Sequence, residues 1–413
     1  MEVLFNLLEI VAYLFYILWA FAALVIYPVF TYYLTLTFAG LRYHSKFVQP
    51  PVPPDDELPS VTIMIPARNE GLVIGETLRA MANLDYPKEK LEVLLLDDGS
   101  TDDTLEKARE VARRFPFIKA IEVEGGGKGK GYVLNYGLKF ARGDVIAVYD
   151  ADNRPEPDAL KRLVSMLSDE TPAVTGRVKT INWRRNILTR FICMEYIYFQ
   201  LAGQAGKSRL HRTAVLPGTN FAIRREILEE VGGWDERALA EDLELSFRII
   251  AMGKRIAYNP LAVTWEQEPE RWRVWFRQRV RWAAGNVYTV AEHIKRFREI
   301  PGWGLRVDFL LTLLIYYLLA LAVITADLAF VAMFLRGGNV TWFTTAILSF
   351  VYIAFLAEIL TGLYDAKVKN LSCWLLAPLM YYTYSQMWIP ISLIGLWEGR
   401  KAKKVWYKTP RTG

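Results

Sequence analysis

The chain has 413 residues, with 50 Lys+Arg against 44 Asp+Glu, a formal charge of +6. Hydrophobic residues make up 53% and aromatics 14%, which excludes a disordered chain and supports a packed core. Mean hydropathy is +0.14 although 23% of residues are charged, so apolar and polar stretches must be segregated. Two cysteines, Cys193 and Cys373, exclude a disulfide framework or zinc cluster, and three histidines argue against a His-rich metal site.

In chain order, Leu4 to Ala39 is almost free of charge, with Glu9 the exception. The run is about 36 residues, longer than a signal-peptide core and well past the roughly 20 that span a bilayer. It reads as a retained transmembrane helix (residues 1–45), bent at Pro28. Arg42, His44 and Lys46 at its exit put that end in the cytoplasm by the positive-inside rule. A Pro-rich connector, residues 46–57, follows.

Residues 58–270 read as one cytoplasmic α/β domain. Val61–Ile65, Leu91–Leu96 and Asp144–Tyr149 are short apolar β runs, and Gly75–Leu84 and Thr104–Phe115 are helical segments between them. The alternation predicts a mostly parallel sheet with ligands at the carboxyl ends of its strands. Two of those ends carry acids: Asp97-Asp98-Gly99, and Asp150-Ala151-Asp152. Taken alone, the first is a polar turn before a helix. The second can share a divalent cation between Asp150 and Asp152, because Mg²⁺ and Mn²⁺ favour carboxylate oxygens together with substrate phosphates. Glu241-Asp242 suits either a solvated helix start or a general base.

Residues 271–300 interleave aromatics with arginines, as in Trp272-Arg-Val-Trp-Phe-Arg-Gln-Arg-Val-Arg-Trp282. This reads as an amphipathic interfacial segment with snorkelling arginines. A nucleic-acid surface is not expected, since nothing else on the chain forms a basic recognition face. Leu305–Leu335, Trp342–Tyr364 and Leu371–Trp397 are three further membrane segments within residues 301–398, and a basic tail fills 399–413. Three full crossings after a cytoplasmic domain would put that tail outside, against the positive-inside rule. Pro378 and Pro390 mark the last segment as broken or re-entrant.

Asp98, Asp150-x-Asp152, Glu241-Asp242 and Gln278-x-x-Arg281-Trp282, in this order, resemble the membrane-embedded family 2 glycosyltransferases. These are inverting enzymes of GT-A fold, related to cellulose, chitin, hyaluronan and poly-N-acetylglucosamine synthases. The resemblance covers about residues 58–300. It implies a nucleotide-sugar-binding domain flanked by transmembrane α-helices and a Mg²⁺ or Mn²⁺ ion held by Asp150 and Asp152. Ala67, Arg68, Glu70, Asp97, Asp98, Lys130, Asn135, Asp150, Gln278 and Arg281 would contact a UDP-sugar donor. Gly218, Thr219, Asn220 and Trp282 would face the acceptor, and Asp242, with Glu241, would be catalytic. Gly131-Tyr132-Val133 departs from the small residues that relatives usually carry there.

The resemblance implies a polysaccharide synthase that extends a β-glycan and passes it outward. A private channel needs more than about four spans, so a second copy or an export subunit would complete it. A single-addition enzyme with a lipid acceptor (polyprenyl phosphate, diacylglycerol or ceramide-like) fits the same motifs. A non-enzymatic membrane scaffold would leave the acidic set without a role.

Overall fold

A computed structural model describes residues 2–335 and 342–400. The basic tail from residue 401 onward lies outside the described residues. Helix α1 (Glu2–Lys46) contains Pro28 and leads into the connector. The central domain then runs β1 (Val61–Ala67), α2 (Ile74–Ala82), β2 (Leu91–Asp97), α3 (Thr104–Ala112), β3 (Ile118–Glu122) and α4 (Lys130–Leu138). It continues through β4 (Val145–Val148), β5 (Arg154–Pro155), α5 (Ala159–Val164), β6 (Ala173–Thr180), α6 (Ile187–Tyr198) and α7 (Lys207–His211). A π-helical stretch, Phe199–Gly206, joins α6 to α7. β7 (Phe221–Arg224), α8 (Arg225–Glu230), α9 (Glu241–Ala251), β8 (Ile256–Glu266) and α10 (Trp272–His293) close the domain.

β1 is apolar apart from Thr62, because both of its faces are buried. Ile63 and Ile65 pack with Leu78 and Met81 on one side, while Met64 packs with Leu94, Leu96 and Val133 on the other. Parallel registers set Ala67 beside Asp97 and Met64 beside Val148. The carboxyl ends of β1, β2 and β4 therefore open on one edge of the sheet.

The eight strands are ordered β3-β2-β1-β4-β7-β6-β8-β5. The sheet is mixed but mostly parallel, as expected: β1–β2, β1–β4, β2–β3 and β6–β8 run parallel, while β4–β7, β6–β7 and β5–β8 are antiparallel. β7 begins at Phe221, opposite Val148 at the end of β4. The chain thus returns through the sheet from the site edge, and an antiparallel strand is the direct consequence.

Helices α11 (Trp303–Leu335), α12 (Trp342–Asp365), α13 (Leu371–Tyr382) and α14 (Trp388–Gly399) follow. Ala23–Lys46 and Leu348–Asp365 are each long and apolar enough to cross a membrane. The segment with two prolines is broken: α13 and α14 have 12 residues each, separated by a short 3₁₀ turn at Ser385–Met387. At 1.5 Å per residue each is about 18 Å long, short of the roughly 30 Å hydrocarbon core.

Polar staples bind these helices to the domain. The Tyr43 hydroxyl donates to the Tyr258 carbonyl at 2.7 Å, and His44 Nδ1 lies 2.6 Å from Asp365. Lys207 meets Asp308 at 3.1 Å with both side chains buried, and Tyr32 donates to the same carboxylate at 2.6 Å. A buried ion of this kind would be costly if either partner were removed.

Candidate active site

At the carboxyl ends of β1 and β2 the loops are laced together. The Asn69 N–H donates to Ser100 Oγ at 2.8 Å, the Thr101 N–H to Asn69 Oδ1 at 2.7 Å, and the Glu70 N–H to Thr104 Oγ1 at 2.7 Å. Asp97 accepts from the Ser100 N–H at 3.1 Å and so shapes the turn. Asp98 accepts from the N–H groups of Gly127 at 2.7 Å and Gly129 at 3.3 Å. The glycine-rich loop is thereby drawn onto β2. A Cβ on Gly126 would stand 2.6 Å from the Gly99 nitrogen, so only glycine permits this closure.

Beyond β4, the Lys130 ammonium donates to Asp150 Oδ1 and to the Gly218 carbonyl, each at 2.7 Å, and lies 3.7 Å from Glu241. Burial alone would lower its pKa, but Asp150, Glu241 and Asp242 raise it, so Lys130 stays charged. The Asp150 N–H donates to Thr219 Oγ1 at 3.0 Å, and that hydroxyl donates to Asn153 at 2.6 Å. Gly218 has φ +86°, and a Cβ there would come within 2.9 Å of Asp242 Oδ2.

Glu241 and Asp242 open α9. Burial raises the pKa of both carboxyls, with Lys130 pulling the other way; Glu241 is pushed up to about 7. A buried and a neighbouring half-buried acid with raised values beside a fixed cation are suited to proton transfer.

Helix α10 closes the cleft with Gln278, Arg281 and Trp282. Arg279 is fully buried between them. Its guanidinium donates to Glu195 at 2.6 Å and to Gln278 Oε1 at 3.0 Å, and stacks 3.8 Å from the centroid of the Trp282 ring. Glu195 also accepts from the Tyr384 hydroxyl at 2.6 Å, and Tyr384 in turn accepts from Trp275 Nε1 at 2.9 Å. Trp275 is fully buried, so it does not serve as the interfacial anchor expected from sequence; Trp272 is 40% exposed.

Together these residues line a cleft of ≈ 340 Å³. Ala67, Arg68, Glu70, Asp98, Lys130, Asp150, Gly218, Thr219, Glu241, Asp242, Gln278, Arg281 and Trp282 all border it. Four expected residues do not. Asp97 caps its own turn. Asn135 donates to the Trp234 carbonyl at 2.9 Å and to Glu236 at 3.0 Å, pinning a distant loop. Asn220 is fully buried and donates to the carbonyls of Arg177 and Ala262 at 3.1 and 2.9 Å, bridging the irregular pairing of β6 and β8. Asp152 is 3% exposed and accepts from the Gln267 N–H at 3.0 Å, behind Asp150. Among the described residues no group of three or more acids, histidines or cysteines is arranged to hold a metal alone.

The cleft also holds residues the motifs did not indicate: Glu195, Tyr196 and Gln200 from α6 and the π-helical stretch, Glu266 from β8 and Trp388 from α14. Burial, then Glu268 and Asp152, hold the Glu266 carboxyl well above the usual range, and Tyr196 donates to it at 2.9 Å. Irregular helix turns often mark functional sites, but nothing in a single sequence announces one.

Residues 59–285 match the family described as "Glycosyltransferase like family 2". The chain is 39% identical over 402 residues to the "Probable glycosyltransferase YdaM" of Bacillus subtilis, covering 94% of this chain and 96% of that protein. It is 31% identical over 278 residues to the "Beta-monoglucosyldiacylglycerol synthase" of Synechocystis, covering 64% of this chain and 56% of that protein. It is 32% identical over 234 residues to the "Poly-beta-1,6-N-acetyl-D-glucosamine synthase" of Staphylococcus aureus, covering 56% of this chain and 55% of that protein. The chain thus spans just over half the length of the last two. The mannosyltransferase PcManGT of Pyrobaculum calidifontis, solved with GDP-Man and Mn²⁺, shares the fold with a TM-score of 0.67 at 24% identity, covering 93% of this chain and all of that one. The family match over most of the central domain, and the near full-length likeness to a glycosyltransferase, make this chain a member of glycosyltransferase family 2, a nucleotide-sugar-dependent transferase.

Proposed function

We propose that the protein is a membrane-bound inverting glycosyltransferase that moves a sugar from a UDP-sugar onto a growing β-linked polysaccharide. The observation that carries this reading is one cleft shared by a half-buried base candidate (Asp242), the Lys130–Asp150 pair, and Arg281 with Trp282. Asp242 takes the proton of an acceptor hydroxyl. That oxygen then forms its bond to the anomeric carbon as the bond to the diphosphate breaks on the opposite face, which inverts the centre. Lys130 and Arg281 hold positive charge toward the departing diphosphate. Trp282 offers an aromatic face to the acceptor sugar.

A divalent cation fits this donor set. Asp150 borders the cleft and would meet the donor-bound ion, while Asp152 lies outside the lining with one oxygen on the Gln267 N–H and would have to turn toward it. With so few protein ligands, no cage made of protein alone is present among the described residues. That is the pattern of a Mg²⁺ or Mn²⁺ ion completed by donor phosphates. When bound, the ion would neutralise charge on the leaving diphosphate.

The catalytic domain faces the cytoplasm in this reading. The short α13–α14 pair enters and returns without crossing. A second copy or an export subunit would supply the rest of a conduit. The likeness to a monoglucosyldiacylglycerol synthase supports a second reading, a single addition to a lipid acceptor. A screen of nucleotide sugars with purified full chain, with products weighed by mass spectrometry, tests both. A ladder of products supports the synthase, one glycolipid supports the lipid acceptor, and no turnover with any donor overturns both.

A further inference from the structure

A second cavity of ≈ 390 Å³ lies between β6, α6 and the end of α12. Five cationic side chains reach it: Arg177, Lys179 and Arg184 from β6 and the turn after it, and Lys367 and Lys369 from the turn after α12. No aspartate or glutamate is among the described residues that line it. Lys179 lies 5.0 Å over the Trp265 ring and 3.9 Å from Glu156; Arg184 stacks 4.7 Å over Trp183. Burial holds the Lys179 ammonium below its usual value, with Glu156 opposing this and Arg177 adding to it. The inner wall is apolar, with Met194, Ile197 and Leu363. A charged mouth over an apolar wall matches an amphiphile better than a free nucleotide or sugar.

Its position adds to this. α12 contains a stretch long and apolar enough to cross a membrane, and the His44–Asp365 contact sets its end level with the end of α1. Lys367 and Lys369 follow directly, where lipid headgroups would lie. Val178, Tyr196 and Gln200 line both this cavity and the catalytic cleft.

We propose that this cavity binds the phosphate-bearing headgroup of an anionic membrane lipid, seated against the wall it shares with the catalytic cleft. The inference rests on the membrane-bound reading above. Basic pockets beside membrane helices on the cytoplasmic side bind such headgroups.

The test is flotation of the full chain with vesicles of phosphatidylcholine alone or with phosphatidylglycerol, followed by native mass spectrometry of the lipid retained in detergent. The expected result is retained phosphatidylglycerol in preference to phosphatidylcholine. Lys367→Ala with Lys369→Ala, both at exposed positions, should reduce that retention by at least about tenfold. Arg184→Glu should do the same, while UDP-sugar turnover in neutral detergent stays unchanged in both variants. Equal retention of the two lipids, or variants that retain phosphatidylglycerol as the parent does, would overturn the proposal. Displacement of the lipid by millimolar inorganic phosphate would assign the site to a free anion and overturn the lipid assignment. Failure to float with either vesicle would instead overturn the membrane-bound reading itself.

Discussion

Arg279 lies face to face with Trp282, its guanidinium carbon 3.8 Å from the indole centroid, while the same group is anchored to Glu195 at 2.6 Å. The aromatic at the mouth of the cleft is therefore held from behind by a buried cation. A desolvated contact of this kind is worth about 2 kcal/mol. Arg279→Lys keeps the charge but loses the planar stack and the fork, and should reduce turnover by roughly tenfold or more. Because Glu195 acts through Arg279, Glu195→Gln should give a similar loss. The double variant should then be little worse than either single one, a non-additivity readable from kcat and KM. Additive losses would show that Glu195 serves the cleft independently.

Gly218 tests how tightly the base is packed. Its φ of +86° and the 2.9 Å approach of Asp242 to a Cβ leave no room for a side chain. Gly218→Ala should cost about 1–2 kcal/mol of stability from the backbone alone. It should also displace Asp242 and reduce turnover at least tenfold, as measured by thermal unfolding and initial rates. A variant of parental activity would show that the loop can move without consequence.

Much of this site was legible in the sequence, and the reasons are local. Apolar runs ending in Asp97-Asp98 and in Asp150-Ala151-Asp152 announce strand ends, and a parallel register carries those ends to one edge. The antiparallel β7 was not legible, because Phe221–Arg224 is four residues long and its direction depends on where the preceding loop emerges. Asn135 and Asn220 also misled: both sit in motif-like stretches, yet their amides satisfy buried backbone groups that only the tertiary fold creates. Arg279 was hidden by its neighbours, since an arginine between Gln278 and Arg281 reads as one more interfacial charge until Glu195 is brought opposite it.

Asp242→Asn should reduce turnover by about 10²-fold or more while donor affinity stays near the parental value. Collapse of donor affinity would reassign Asp242 to binding. The pH dependence follows from burial, which raises both Glu241 and Asp242, Glu241 to about 7. A base must be unprotonated to act, and burial raises Asp242, so kcat should begin to fall at a higher pH than an ordinary aspartate would give. Stability runs the other way. A raised folded-state pKa means the folded chain holds the proton more tightly, so this contribution is present in acid and lost as pH rises through the raised value. Glu241→Gln should flatten that loss between mild acid and a pH of about 7, as followed by thermal unfolding across pH.

Chelation tests the cation. With EDTA, transfer should fall to background and return on addition of Mn²⁺ or Mg²⁺. Asp150 and Asp152 offer few protein ligands, so binding of Mn²⁺ should be weak without nucleotide and strengthen with UDP present. Asp152→Asn should remove most of that gain, as read by the paramagnetic relaxation of water protons. Full activity in EDTA would remove the metal from the reaction.

Trp282 separates the two readings of the acceptor. The ring borders the cleft and has one face on Arg279, which leaves the rest of the indole to meet a sugar. The C–H face of a pyranose stacks on such a surface, and an aromatic fixed from behind loses little freedom when it does so. Arg281 is the adjacent residue and borders the same cleft, so the proposed donor and acceptor contacts would come from neighbouring positions on one helix. In a synthase the terminal sugar must be held there after each addition. Trp282→Ala should therefore abolish elongation while hydrolysis of the donor to free sugar and UDP survives. Product length by mass spectrometry and UDP release measure the two separately. If the variant still makes chains of normal length, Trp282 is only a packing partner of Arg279. If the parent itself makes a single glycolipid and the variant is unaffected, the acceptor is a lipid held elsewhere along the cleft.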